Sequence, residues 1–278
     1  MKEPAVSADP TQVLAFETDC HIFDGCGFPA PGLHSFLFEP LVGDADSSVY
    51  FNKTMLLALL GSVIIIGFFW AAFRKPQVVP GKLQMVAETG YDFIRRGVVY
   101  ETIGKKEGEK YVPLVVSLFF FIWMMNLWSI IPIAQFPVTS IISYPLVLAL
   151  IVYILWVSLT FKRHGFVGAF KNFTGYNKEL GAVLPLAMVI EFFSNLVVRP
   201  FTHAVRLFAN MFAGHTLLLL FTIASWYLLN GIGIAYAGVS FVMVIVMTAF
   251  ELFIQALQAY VFVLLTCTFI QGALAEHH

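Results

Sequence analysis

Residues 180–229 read LGAVLPLAMVIEFFSNLVVRPFTHAVRLFANMFAGHTLLLLFTIASWYLL, and the only charged side chains among them are Glu191, Arg199 and Arg206. A second run, Ile232–Leu274, is equally apolar and holds one charge, Glu251. As one helix at 1.5 Å per residue, each run would reach at least roughly 60 Å, twice the hydrocarbon thickness of a bilayer or more. Either each run is a pair of short spans, or each is one long helix lying steeply tilted. Asn230-Gly231-Ile232-Gly233 is the strong break between them, and Pro185 and Pro200 are candidate interruptions of the first. Steep tilt is rare, so the residues by themselves favour ordinary short spans.

The rest of the chain agrees with a membrane setting. Of 278 residues, 59% are hydrophobic and 12% charged, with mean hydropathy +0.82. A soluble domain carries about twice that charged fraction. Further apolar runs, Met55–Phe73 and Pro145–Phe161, approach the roughly 20 residues a spanning helix needs. A net charge of −1 gives no field that would draw nucleic acid. The fold expected is an all-α polytopic membrane protein.

Residues 1–54 form an acidic lead-in, with eight Asp/Glu against Lys2 and Lys53. They lack a basic start followed by an apolar core, so no cleavable signal is expected. Cys20 and Cys26 lie there and would be able to form a disulfide if that segment is outside; two free thiols are an equal alternative. The membrane domain then starts at 55. A first span, Met55–Phe73, closes on Arg74-Lys75-Pro76. From Pro80 to Lys110, apolar Leu83, Val86, Phe93, Val98 and Ile103 alternate with basic residues at helical spacing, as in a helix at the membrane surface. Further spans are expected at Pro113–Ile133 and Ser143–Phe161, the latter followed by a polar loop to about Glu179. The loop Arg74–Lys110 holds eight Lys/Arg and Lys162–Lys178 four, whereas the turn Pro132–Ser143 holds none. By the positive-inside rule the basic loops and the C-terminus face the cytoplasm and the N-terminus lies outside.

Arginine at the centre of a membrane helix costs about 2.5–3.5 kcal/mol on insertion scales, so it should face a cavity or a carboxylate. Arg199 and Arg206 are the last two cationic side chains of Lys/Arg type, with none in the 72 residues after Arg206. Arg199, His203, Arg206 and Asn210 fall at i, i+4, i+7 and i+11, one stripe along a helix. Glu251, Gln255 and Gln258 form a second stripe at i, i+4 and i+7. Two polar stripes in otherwise apolar helices suggest a wet path. A structural ion pair or a snorkelling arginine is the plainer alternative. His203, His215, Glu191 and Glu251 offer metal-ligand atoms, but none shows a ligand spacing, and two nearby arginines would repel a cation. No phosphate loop, nucleophile elbow or paired catalytic carboxylates are present, so no enzymatic chemistry, cofactor or metal is expected. A stand-alone secondary transporter, with Arg206 binding an anionic substrate, and a purely structural anchor are the rival classes. The lack of internal repeats counts against the first, and the polar stripes against the second.

Arg206-Leu207-Phe208-Ala209-Asn210-Met211-Phe212-Ala213-Gly214-His215 closely resembles the RLFGNMxAG signature of the F-type ATP synthase a subunit family. Asn126-Leu127-Trp128-Ser129-Ile130-Ile131-Pro132 resembles that family's NLxGLIP turn. Pro80-Gly81-Lys82-Leu83-Gln84, with Glu88 and Phe93, resembles its second helix, and Gln258-Ala259-Tyr260-Val261-Phe262 its LQAFxF element. The first 50 residues resemble nothing in it.

This resemblance implies two long tilted helices, about 180–229 and 232–274, embracing a rotating ring of c subunits in the Fo sector of a bacterial plasma membrane. The other partners implied are b subunits of the peripheral stalk, further ATP synthase subunits and membrane lipid. Arg206 would be the stator arginine, attracting each passing c-subunit carboxylate and blocking a proton short-circuit between two offset half-channels. Asn210 and Gln258 would match the family's Asn and Gln near it. The family's Glu/His couple outside the arginine is met here by His215 and Glu251, the reverse of the better-known bacterial order. If Gln258 lies opposite Arg206, helical rise puts His215 about 13.5 Å and Glu251 about 10.5 Å outward, nearly one depth. A His beside a Glu suits proton relay. Glu191, fifteen residues inward of Arg206, would line the inner half-channel about one residue off the usual register, with Arg199, His203 and Gln255 as helpers.

Overall fold

The computed structural model of this chain describes residues 28, 31, 51–131, 134–174, 184–229 and 233–275. The acidic lead-in with Cys20 and Cys26, and Glu276-His277-His278, lie outside the described residues.

The fold is all-α. Its elements are α1 (Lys53–Phe73), α2 (Lys82–Ile94) running into a π turn (Arg95–Tyr100), α3 (Lys105–Gly108) and α4 (Val112–Leu127). A 3-10 turn (Val138–Ser140) leads to α5 (Ser143–Thr174). Next come α6 (Leu184–Phe193), a π turn (Ser194–Val198), α7 (Arg199–Tyr227) and α8 (Ile234–Leu274). Among the described residues, four helices are long and apolar enough to cross a membrane: α1, α5, the stretch from α6 through α7, and α8. The chain is a multi-pass membrane protein.

The two terminal runs are not pairs of short spans. Leu184–Tyr227 is one 44-residue helix and Ile234–Leu274 another of 41. Pro200 does not break the first. Proline cannot donate the hydrogen bond that an α-helix requires, and the wider π turn just before it absorbs that loss while the axis continues.

Three other expectations change. The second span ends at Leu127 rather than Ile133, giving 16 residues or about 24 Å. The chain turns there because Phe136 N donates to Trp128 O at 3.3 Å and the Thr139 hydroxyl donates to the side-chain oxygen of Asn126. Second, the expected polar loop after Phe161 is helical as far as Thr174, beyond a sharp kink at Gly165 (φ 66°, ψ −175°). That backbone region is essentially open to glycine alone. The kink lets Ala169 and Phe173 pack on Trp156 and on Ala273 of α8. Third, the surface helix carries no single apolar stripe. Leu83, Val86 and Phe93 are exposed, whereas Val98 and Val99 are fully buried. The π turn between them inserts an extra residue and so rotates Val98 and Val99 onto the core.

Two compact units divide the chain, one of Met1–Glu39 with Gly214–Glu251, the other of Pro40–Ala213 with Leu252–His278. The larger has a continuous core in which Leu207 and Met211 of α7 meet Ala259, Phe262 and Val263 of α8, together with residues of α2, α4 and α5. In the smaller, Ser240 Oγ donates to Phe221 O at 2.9 Å, and the rings of Phe28 and Tyr227 meet edge to face.

Candidate functional site

Helix periodicity places the polar residues of α7. Ala204, Leu207 and Met211 recur on its buried face, while Thr202, Arg206, Ala209 and Ala213 share the exposed one. The stripe from Arg199 to Asn210 therefore straddles the boundary between these faces. His203 turns inward and is buried, whereas Arg199, Arg206 and Asn210 stay exposed. Among the described residues no carboxylate lies within salt-bridge reach of Arg206; the ion pairs found are Arg95–Glu109, Arg96–Asp92 and Lys110–Glu107. Around Arg206 the exposed surface is mixed: polar Arg199, Thr202 and Asn210 stand among apolar or small Val198, Phe201, Ala209 and Ala213.

The second stripe is coherent. Glu251, Gln255 and Gln258 are all buried. Gln258 pairs with Asn210, whose Nδ2 donates to Gln258 Oε1 at 2.8 Å. Gln258 thus sits level with Asn210, about one turn beyond Arg206. Gln255 Nε2 donates to Ser129 Oγ at 2.6 Å, and Ser129 lies three residues after Asn126, the partner of Thr139. Asn210, Gln258, Gln255, Ser129, Asn126 and Thr139 give the larger unit a set of polar side chains among apolar helices. Ser129, Asn126 and Thr139 are not singled out by the sequence pattern. The signal available is the pair Asn126 and Ser129, two polar residues three apart in an otherwise apolar stretch.

In the smaller unit His215 and Glu251 are both buried, each 3% exposed. Gly214, the neighbour of His215, faces Glu251: a Cβ built there would lie 3.9 Å from Glu251 Cγ. α7 and α8 thus pass each other at Gly214 and Glu251, one residue from His215. Glu191 is exposed on α6, beside exposed Ile190 and Phe193.

On the other side of Arg206 lies an open cleft of about 460 Å³, lined by Val198, Arg199, Thr202, His203, Arg206 and by Leu265, Thr268 and Phe269 of α8. The cleft runs from Arg206 toward the N-terminal end of α7. Asn195, in the π turn before α7, donates to Phe173 O at 2.9 Å, which ties that end to the segment beyond Lys162 and Arg163.

A family model described as ATP synthase A chain matches residues 55–271. The chain is 87% identical to ATP synthase subunit a of Streptomyces lividans over 274 residues, 99% of this chain and 98% of that one. It is 39% identical to ATP synthase subunit a of Nocardioides sp. over 266 residues, covering 92% and 96% of the two chains. With ATP synthase subunit a of Pseudarthrobacter chlorophenolicus the identity is 41% over 259 residues, 92% and 97% of the two. The match runs through every described helix, from the first apolar span to the polar stripe of the last, and the chain belongs to the ATP synthase A chain family.

Proposed function

We propose that this chain is the stator half of the proton path in the Fo sector of a rotary ATP synthase, with Arg206 as the barrier between two offset half-channels. The observation that carries this reading is the position of Arg206. A charge that is costly in a membrane stands on an exposed face with small neighbours, Ala209 and Ala213, and no carboxylate of its own chain in reach among the described residues. Such a face admits a close-packed neighbouring helix, and such a charge calls for an anion on it. A c-subunit carboxylate fits both requirements. Ionised, it is drawn to Arg206; moved past, it meets water on one side or the other and takes up a proton.

In this reading the remaining polar groups serve the two sides. On the outer side, Glu251 and His215 carry protons inward, and Gln258, Asn210 and Gln255 hydrate the approach to Arg206. On the inner side lies the 460 Å³ cleft lined by Arg199 and His203, with Glu191 further along the same helix. The N-terminal extension lies outside and the C-terminus in the cytoplasm, as the loop charges favour. The c ring, the b subunits of the peripheral stalk, other subunits and lipid are the partners of a multi-pass chain in the bacterial plasma membrane. The chain itself performs no bond-breaking step.

The test is Arg206→Ala in the complete complex, reconstituted in vesicles. Loss of ATP-driven proton pumping, with ATP hydrolysis by the detached head intact, is the expected result. Pumping at the normal rate would overturn the assignment.

A further inference from the structure

Beside the Arg206 cleft lies a second, much smaller void of about 10 Å³, the space that the centre of one water occupies. Its walls are largely apolar, but Tyr153 of α5, Asn195, Arg199 and His203 all reach it. His203 borders both spaces. The imidazole is 4% exposed and lies against Phe262, ring centroids 3.9 Å apart, and Phe269, at 5.6 Å. Among the described residues neither of its ring nitrogens has a hydrogen-bond partner, and neither does the Tyr153 hydroxyl. Buried polar groups in folded proteins are almost always bonded, and exceptions call for a reason. If filling space were the whole task, leucine or phenylalanine would do it at this position without that cost.

We infer that His203 is a proton-exchanging group on the inner side of Arg206, its buried imidazole standing between the void and the cleft and exchanging a proton when the ring turns into the cleft. The inference rests on the role of Arg206 proposed above. A proton leaving the partner carboxyl enters the cleft and binds the free ring nitrogen of neutral His203, giving an imidazolium. The same nitrogen then returns that proton to water further along the cleft, near Thr268. The other nitrogen keeps its own proton throughout. The charged groups facing the imidazole are Arg199 and Arg206, both from α7. Tyr153 and Asn195 are neutral, and α8 presents Phe262 and Phe269. The two guanidiniums repel the added proton and hasten its release, so the relay does not hold its cargo.

The test uses His203→Ala and His203→Gln in the complete complex, in vesicles, with ATP-driven proton uptake as the readout. Both variants should pump several-fold more slowly while hydrolysis by the detached head stays normal. Millimolar imidazole should restore the Ala variant, whose missing ring leaves a cavity open to the cleft, and leave the Gln variant slow. Normal pumping in either variant, or an Ala variant deaf to imidazole, would overturn the relay. If the Ala variant does not assemble, the Gln variant decides. A solvent deuterium effect on its pumping larger than the wild type's supports the relay, and an unchanged effect overturns it. Arg206→Ala in the same membranes reports separately on the underlying reading. Loss there with normal His203 variants removes only the relay, whereas normal pumping there removes the barrier role itself.

Discussion

Asn210 on α7 donates its side-chain amide to the carbonyl of Gln258 on α8 across 2.8 Å, fixing the two long helices to each other one turn beyond Arg206. Asn210 is exposed and Gln258 buried, so water competes for one end of this bond and not the other. Its net worth should sit near the ordinary value of about 1 kcal/mol. Asn210→Ala and Gln258→Ala should each reduce proton uptake, and the double variant should be little worse than the poorer single one. A double-mutant cycle on the pumping rate checks this; strictly additive losses would mean that the two side chains act independently.

The Ser129–Gln255 contact is buried at both ends, and that makes its variants asymmetric. Ser129→Ala leaves the Gln255 amide buried without its acceptor and should cost about 1–3 kcal/mol. Gln255→Met removes the buried amide altogether and leaves a hydroxyl that is able to turn to a helix carbonyl, as Ser62 and Ser158 do. It should therefore be milder in stability, although the stripe beside Arg206 loses a polar member. Thermal unfolding of the purified complex in detergent would show the order; the reverse order would mean that Gln255 has another strong partner.

Much of this arrangement is legible in the sequence. Arg206 stands out through its cost in an apolar run, and Glu251, Gln255 and Gln258 lie buried on one face, as their spacing implies. Periodicity fails where a helix departs from 3.6 residues per turn. The π turn at Arg95–Tyr100 separates Phe93 from Val98, and that at Ser194–Val198 lets the helix run on through Pro200. The α7 stripe is visible as a stripe, but its division between buried His203 and exposed Arg206 depends on where α8 packs, through Phe262 and Phe269. Contacts such as Ser129–Gln255, 126 residues apart, leave no trace in a local pattern. Gly165 reads as one more loop glycine, and only its positive φ shows that the helix resumes after it.

A pH response is expected at the basic loop. There Glu109 accepts from the Tyr100 hydroxyl and pairs with Arg95 at 2.6 Å. The tyrosine bond first, then the guanidinium, holds the Glu109 carboxyl below its ordinary value of 4.5. A carboxyl lowered in the folded chain contributes stability that is complete above its ordinary value and is lost as pH falls through the lowered one. Hydrogen exchange of the Arg95–Lys110 backbone should accelerate beyond the intrinsic trend on acidification below that value. In Glu109→Gln that extra acceleration should vanish. Because the group is exposed, the effect should be small and should shrink further in high salt.

Charge and shape are separable at Glu251. The side chain is 3% exposed and passes Gly214 at ordinary contact distance, 3.9 Å from where a Cβ would stand. Glutamine has the same outline and no proton to lose, so Glu251→Gln should assemble normally and carry several-fold less proton flux. Gly214→Ala adds one methyl group at a distance that Glu251 tolerates without moving, and it should assemble and pump near normally. A Leu at the same place must push the carboxyl aside, so Gly214→Leu should lose flux with Glu251 intact. If Glu251→Gln retained full flux while Gly214→Leu lost it, packing would be the function of this contact and Glu251 would leave the proton path. If Glu251→Gln alone lost flux, ionisation is what the site requires. All three variants can be read in one assay of ATP-driven acidification, with subunit content in the membrane as the control for assembly.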